Sequence, residues 1–308
     1  MTASDSTLLP GLPGDNPLGF LAALGVQVAL TEQGNDYRLH WTDDPIPYPV
    51  LTPARSLDAI ADAVIDAATA RLHDPVLDES FDPTLKLKLK PNALRECLLR
   101  GRTSNAPGGL SACLLAENSL DRNGKAKPSD LYFTAGQQKF VAIARTLLGE
   151  VNHDEIVADL TTPWRYRSNR ESLMWDAVDD RSHALSHSDP TGSLNPKRTN
   201  PGAEALAVLG LIRYPCFASP QRTLTQGCSG TWKRGRFVWP LWSNPATPYA
   251  VRSLLAQVEA PTPTEGTARR VQWYQSWGVS RVMQSQIRRS DQGGYGTFGP
   301  SRVVWQRD

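Results

Sequence analysis

Two phrases constrain this chain more than any other feature: NPLGFLAALG from Asn16 and NPGAEALAVLG from Asn200. In each, Asn suits a helix N-cap, and Pro suits the first helical position, where its missing N–H would be unpaired anyway. Gly25 and Gly210 are predicted to close their helices in a left-handed conformation. Between the caps lie Ala22 and Ala23 in one copy and Ala203, Ala205 and Ala207 in the other. Such short side chains let a helix approach a neighbour closely, while Phe20, Leu21 and Leu24, or Leu206 and Leu209, supply apolar burial. Both copies are therefore predicted to be short, thoroughly buried helices. Whether they are related copies or two core helices with common punctuation stays open from the residues alone.

A chain of 308 residues has ample material for a core, as one large domain or as two lobes. The expected division is a mainly helical lobe over 1–165, with an acidic start and a basic strand, and an α+β lobe over 166–308 carrying two hairpins. With 40% hydrophobic and 21% charged residues the composition is that of an ordinary soluble protein. No apolar run approaches a membrane span of roughly 18 residues, and Gln27 interrupts the best candidate. The first residues include Asp5 and no basic region, unlike a secretory signal. Cys97, Cys113, Cys216 and Cys228 form no C-x-x-C pair, which suits reduced thiols in the cytoplasm. Charge is unevenly spread: residues 1–84 hold 3 basic and 13 acidic side chains, whereas 85–170 hold 14 and 8. The remainder is basic too. This asymmetry points to a polyanion-binding face, or to an acidic surface that meets a basic partner.

YRLHW alternates as a strand with Tyr37, Leu39 and Trp41 on one face, and DDPIPYPVLTP reads as a loop. SLDAIADAVIDAATARL is the clearest helix, capped by Ser56. TLKLKL alternates as a strand with one wet face, and helices are expected around NALRECLL and near 110–115. FTAGQQKFVAIARTLLG is expected to be a helix opened by a capping box of Thr134 and Gln137. GTWKRGRFVWPLW reads as a basic hairpin tip running into an aromatic strand, and PYAVRSLLAQV as a helix. A helix, the stretch VSRVMQSQIRR, a Gly-rich turn and SRVVW close the chain. Helices and strands do not alternate strictly, so the expected fold is α+β, with mixed helices and mostly antiparallel strands.

No Walker-A loop, G-x-G-x-x-G, G-x-S-x-G or H-E-x-x-H occurs. GCSGT at 227–231 lacks the spacing of a nucleophile elbow and reads as a turn. The best catalytic candidate is WDAVDDRSHALSH: Asp176, Asp179 and Asp180 precede His183 and His187, which on a helix would share a face at metal-ligand spacing. The same residues also describe a polar loop with Trp175 buried and the aspartates capping or pairing with Arg181. That structural reading is preferred; no catalytic residue, metal or other cofactor is assigned, and the chain is read as a non-enzyme.

Cations interleaved with aromatics are better represented. WRYRSNR sets Arg165, Arg167 and Arg170 around Trp164 and Tyr166. TWKRGRF places Lys233, Arg234 and Arg236 between Trp232 and Phe237, with Gly235 read as the turn. Lys86, Lys88 and Lys90 would line one strand face about 6–7 Å apart, near a phosphate repeat. Guanidinium and ammonium groups neutralise phosphate, and flat rings accept bases. Each stretch alone also suits a solvated strand face or a hairpin tip.

The order of phrases narrows the reading. An N-terminal NPLGFLAALG is followed by FTAGQQKFVAIA, then an aromatic–Arg tract leading to LMWDAVDDR, then GAEALAVLGLIRYP. That series resembles proteins of type I-U (also called I-G) CRISPR–Cas loci, accessory or large-subunit-like members of the Cascade effector. The matching positions are 16–25, 135–144 and 202–215, within a resemblance spanning roughly residues 10–240. The resemblance implies a non-catalytic subunit of an RNA-guided surveillance complex in antiviral defence, contacting guide RNA or target DNA while base pairing reads sequence. It implies as partners the other effector subunits and the helicase-nuclease, with no membrane. Two alternatives remain: a metal-dependent nuclease or hydrolase using 176–189, and an adaptor whose acidic first quarter bridges effector and helicase-nuclease.

Overall fold

The computed structural model describes residues 5–34, 36–103, 109–133, 139–177, 199–219, 223–259, 267–289 and 296–307. In chain order its elements begin with β1 (Thr7–Leu8), α1 (Pro17–Glu32), β2 (Arg38–Trp41), β3 (Pro49–Thr52) and α2 (Leu57–Arg71). Next come α3 (Pro91–Thr103), α4 (Leu110–Leu114), α5 (Phe140–Glu150), α6 (His153–Thr161) and α7 (Pro201–Gly210). The last are β4 (Cys216–Ala218), β5 (Thr223–Thr225), β6 (Cys228–Thr231), β7 (Arg234–Trp242), α8 (Pro248–Gln257), α9 (Thr267–Ser276), β8 (Val279–Arg289) and β9 (Gly296–Gln306). Every strand pair among them is antiparallel, and the fold is α+β.

The two repeated phrases form α1 and α7, and they pack on each other. Asn16 caps α1 as expected, its Oδ1 accepting from the Leu18 N–H at 3.0 Å. Gly25 does not close the helix; α1 runs on to Glu32 with every residue from Pro17 to Leu30 buried. Gly210 likewise stays right-handed at φ −64°, and the chain continues into a 3-10 turn at Leu211–Arg213. Both glycines serve close approach instead. A Cβ at Gly25 would overlap the Leu206 carbonyl oxygen and lie 3.1 Å from the Gly210 nitrogen. A Cβ at Gly210 would overlap the Leu21 carbonyl oxygen and lie 2.9 Å from the Gly25 nitrogen. Leu21 and Leu206 each precede their glycine by four residues, so the contact is reciprocal, as a two-fold relation between the phrases would produce.

The buried cluster that contains α1 and α7 is continuous across position 165, joining α2, α5 and α6 to the strands of the second half. On its other side α1 meets an aromatic layer. Phe20 stacks on Trp41 with centroids 5.6 Å apart and touches Trp239 and Trp242 of β7 at 6.0 and 6.4 Å. Each buried indole N–H from β7 finds an acceptor: Trp239 donates to Gly14 O at 2.9 Å and Trp242 to Leu39 O at 2.6 Å. Gln27, the polar break in α1, is fully buried and donates to the carbonyls of Tyr37 and Ala246. It ties the residue that precedes β2 to the segment between β7 and α8.

Several expectations need correction. DDPIPYPVLTP is not all loop, because Pro49–Thr52 is the central strand of the sheet β1-β3-β2. Pro49 is tolerated there as the first residue of the strand. TLKLKL is not a strand: Leu85 and Leu87 take left-handed backbones (φ 50° and 53°). Leu85, Leu87 and Leu89 still reach the core while the lysines between them stay in solvent, so burial alternates without a ladder. GCSGT is a turn only at Gly227 (φ 74°), since Cys228–Thr231 is β6. The capping box of Thr134 and Gln137 lies outside the described residues, and the described helix α5 starts at Phe140.

Candidate nucleic-acid interface

The four-stranded sheet β6-β7-β8-β9 separates an apolar face from a cationic one. Side chains alternate along β7 by the pleat, so Phe237, Trp239 and Leu241 turn into the core while Arg234 and Arg236 turn out. Register carries the outer face across the sheet: Arg236 pairs with Gln286, and Gln284 pairs with Arg302. Arg288 follows Gln286 on β8 with the same outward sense. Arg234, Arg236, Arg288 and Arg302, with Gln284, Gln286 and Pro300, line one shallow concavity of about 260 Å³. Gln284, its amide oriented to satisfy both groups, accepts from Arg302 Nη2 at 2.9 Å and Nε at 3.3 Å, which holds that guanidinium in place.

Among the described residues, none of these four arginines has a carboxylate within ion-pair distance; the arginine and lysine pairs found there lie elsewhere. Arg281, on the same strand β8, shows the contrast: it is buried and donates to the carbonyls of Asp44 and Pro45 at 2.8 and 3.1 Å. Arg289, one residue past Arg288 and on the opposite side, lies 3.7 Å over the Trp232 ring and donates to Asp130 O at 2.7 Å. Burial brings its pKa down to about 10, which leaves it charged at neutral pH.

The structure sorts the cations singled out from sequence into unequal groups. Arg234 and Arg236 belong to the concavity. Lys233 sits at the tip beside Trp232, because the two-residue turn is Trp232–Lys233 and not Gly235. Gly235 is inside β7, where a Cβ would press on Ile287 at 3.2 Å. Arg165 and Arg167 are exposed on an irregular segment. Arg170 is engaged internally, donating to Glu155 Oε2 at 2.9 Å and to Glu150 O at 3.1 Å. Lys88 pairs with Asp121 at 3.4 Å, and Lys86 and Lys90 are exposed without the regular strand spacing expected of them. Sequence reading misses Arg288 and Arg302. A signal for them exists in VSRVMQSQIRR, where Gln284, Gln286 and Arg288 alternate with Met283, Ser285 and Ile287.

Asp176 is fully buried and both its oxygens are occupied. Asn16 Nδ2 donates to Oδ1 at 2.8 Å and the Tyr166 hydroxyl donates to Oδ2 at 2.8 Å. Tyr166 N in turn donates to Asn200 Oδ1 at 3.2 Å. Tyr166 and Asp176 thus link the asparagines that open the two repeated phrases. Trp175 beside it is buried, its Nε1 donating to Leu131 O at 3.0 Å. Asp179, Asp180, Arg181, His183 and His187 lie outside the described residues. Among the described residues, no group of three or more His, Cys, Asp or Glu side chains could hold a metal ion, and no helix is long and apolar enough to cross a membrane. No protein-family model matches the chain, and no curated protein matches it either.

Proposed function

We propose that this protein binds the sugar-phosphate backbone of a nucleic acid on the outer face of the sheet β6-β7-β8-β9. The observation that carries the reading is the set of Arg234, Arg236, Arg288 and Arg302 on one concave face with no carboxylate partner among the described residues. Like charges gathered on a rigid sheet repel one another and are relieved by a polyanion. Phosphates spaced along a strand supply that charge, and guanidinium forks meet them in bidentate geometry. Together with the order of its sequence phrases, this face supports a role as a non-catalytic subunit of a type I-U/I-G CRISPR RNA-guided surveillance complex. Its partners would be guide RNA or target DNA, the other effector subunits and the helicase-nuclease.

Replacing all four arginines by alanine tests the binding face. Titration of a labelled oligonucleotide at several salt concentrations should show the slope of log K against log salt reduced by about 3, as for four lost contacts to a single strand. Thermal stability should hardly move, because these side chains make few contacts within the fold. An unchanged slope removes this face from the interface. For the complex, the measurement is co-purification of the chain with guide RNA and the backbone subunits. Recovery with the subunits after nuclease treatment, but without RNA contact, would favour the adaptor reading.

A further inference from the structure

Beside the arginine face lies a second, larger depression of about 540 Å³, and Arg236 lines both. Its chemistry is different. Phe217 and Leu224 are cross-strand partners on β4 and β5, so both present to one side, and both are exposed, at 54% and 37%. Val238, Leu255 and Val258 form a buried apolar floor. Gln226 lines the groove too, and its Nε2 is buried with no acceptor among the described residues. Glu259 stands at the margin.

We propose that this groove takes an unstacked nucleobase of a single-stranded nucleic acid whose phosphates lie on the arginine face. The inference rests on the backbone-binding reading above and adds to it the form of the ligand. A phosphate is disfavoured on the apolar floor of the groove, whereas a flat base is suited to both Phe217 and that floor. Once the Gln226 amide turns toward the groove, a ring carbonyl or ring nitrogen of the base gives its Nε2 the acceptor it lacks, and leaving a buried donor unpaired is costly. Arg236 fixes the order of contacts, because it borders the groove on one side and the phosphate face on the other. A duplex cannot make this arrangement, since its bases are stacked and paired along the axis. The two depressions are therefore consecutive subsites of one strand.

The test is fluorescence anisotropy with the full chain and three labelled probes of equal length: a single strand, the same strand with abasic sites throughout, and a duplex. The single strand should bind about 10-fold more tightly than the abasic strand, the range expected for one or two stacked bases. Phe217→Ala should erase that difference while leaving the salt slope unchanged. Because Phe217 is exposed, the variant should melt like the parent. Gln226→Leu, which removes the unpaired donor and keeps an apolar lining, should lower affinity for the base-bearing strand alone. Equal binding of abasic and base-bearing strands, or a preference for duplex, would overturn the groove proposal while leaving the arginine face intact. Loss of binding in the four-arginine variant together with no effect of Phe217→Ala would overturn it equally. An unaffected four-arginine variant would instead remove the backbone-binding reading, and a persisting effect of Phe217→Ala in that background would show the groove acting without it.

Discussion

α1 and α7 are both opened by Asn-Pro and meet through matching glycines, yet their N-termini are held by different means. Asn16 caps its own helix with its side chain, and Asp176 holds that side chain from behind. Asn200 makes no side-chain cap; it accepts from Tyr166 N, and the amides at the start of α7 are met from outside by Asp159, which accepts from Ala203 N at 3.0 Å. The interiors differ as well. α1 carries only Gln27 among its buried residues as a polar side chain, whereas α7 buries Glu204. That carboxylate accepts from Ser172 Oγ, Leu173 N and Thr199 Oγ1 at 2.6–2.7 Å. Shared words therefore specify the contact between the helices, while the surroundings of each copy specify how it is anchored.

The largest effect should come from the shared part. Gly25→Ala and Gly210→Ala each force a methyl group into the partner helix backbone, which cannot move aside as a flexible side chain would. Each should cost about 3 kcal/mol or more, the upper end of overpacking. Because the two glycines touch one contact, the double variant should cost clearly less than the sum. Urea denaturation of the four proteins measures this. Variants that melt within a degree of the parent would show that α1 and α7 are not in backbone contact.

Next in size is the difference between the anchors. Asn16→Ala removes the cap on Leu18 N and leaves Asp176 buried with one donor fewer, for an expected loss of about 2 kcal/mol. Asn200→Ala removes one backbone acceptor and leaves the Asp159 cap in place, for about 1 kcal/mol. Equal losses would mean that the two caps are equivalent after all. Tyr166→Phe breaks the link between the anchors at the Asp176 end and should fall between them.

How much of this can be read from sequence follows from the range of the interactions involved. The helices at Asn16, Ser56 and Pro248 are legible, because cap, periodicity and composition are local. The contact between the repeated phrases is not, since glycine in a helix signals a cap and a close approach in the same letter. The LKLKL tract shows the same limit: alternation fixes which residues are buried, but left-handed leucines satisfy it without a strand. At the candidate interface, Arg234 and Arg236 stand out because aromatics surround them in sequence. Arg288 and Arg302 join them only through strand register, which no local pattern states. Asp176 invites a catalytic reading because buried and reactive aspartates look alike until their partners are known.

The anchors also differ in their response to pH. Burial raises the Asp159 carboxyl from its ordinary 3.8 to about 6. The N–H groups of Ala203 and Gly202 oppose that rise, and the nearby Glu155 and Glu204 charges add to it. The folded protein therefore holds this proton up to a higher pH than the unfolded chain does. Between about pH 4 and 6 the unfolded state binds fewer protons at this site, so the contribution of Asp159 to stability falls as pH rises and is level above about 6. Asp159→Asn keeps an oxygen for the α7 amides and abolishes the titration. The melting temperature of the parent minus that of Asp159→Asn should thus become more positive as pH falls from 7 to 4, with the change centred between the two pKa values. Asn16 has no titrating group of its own, so the corresponding cap on α1 carries no such slope in its side chain. A difference that stays constant across this window would place Asp159 in an ordinary aqueous environment, and α7 would then be capped no differently in kind from α1.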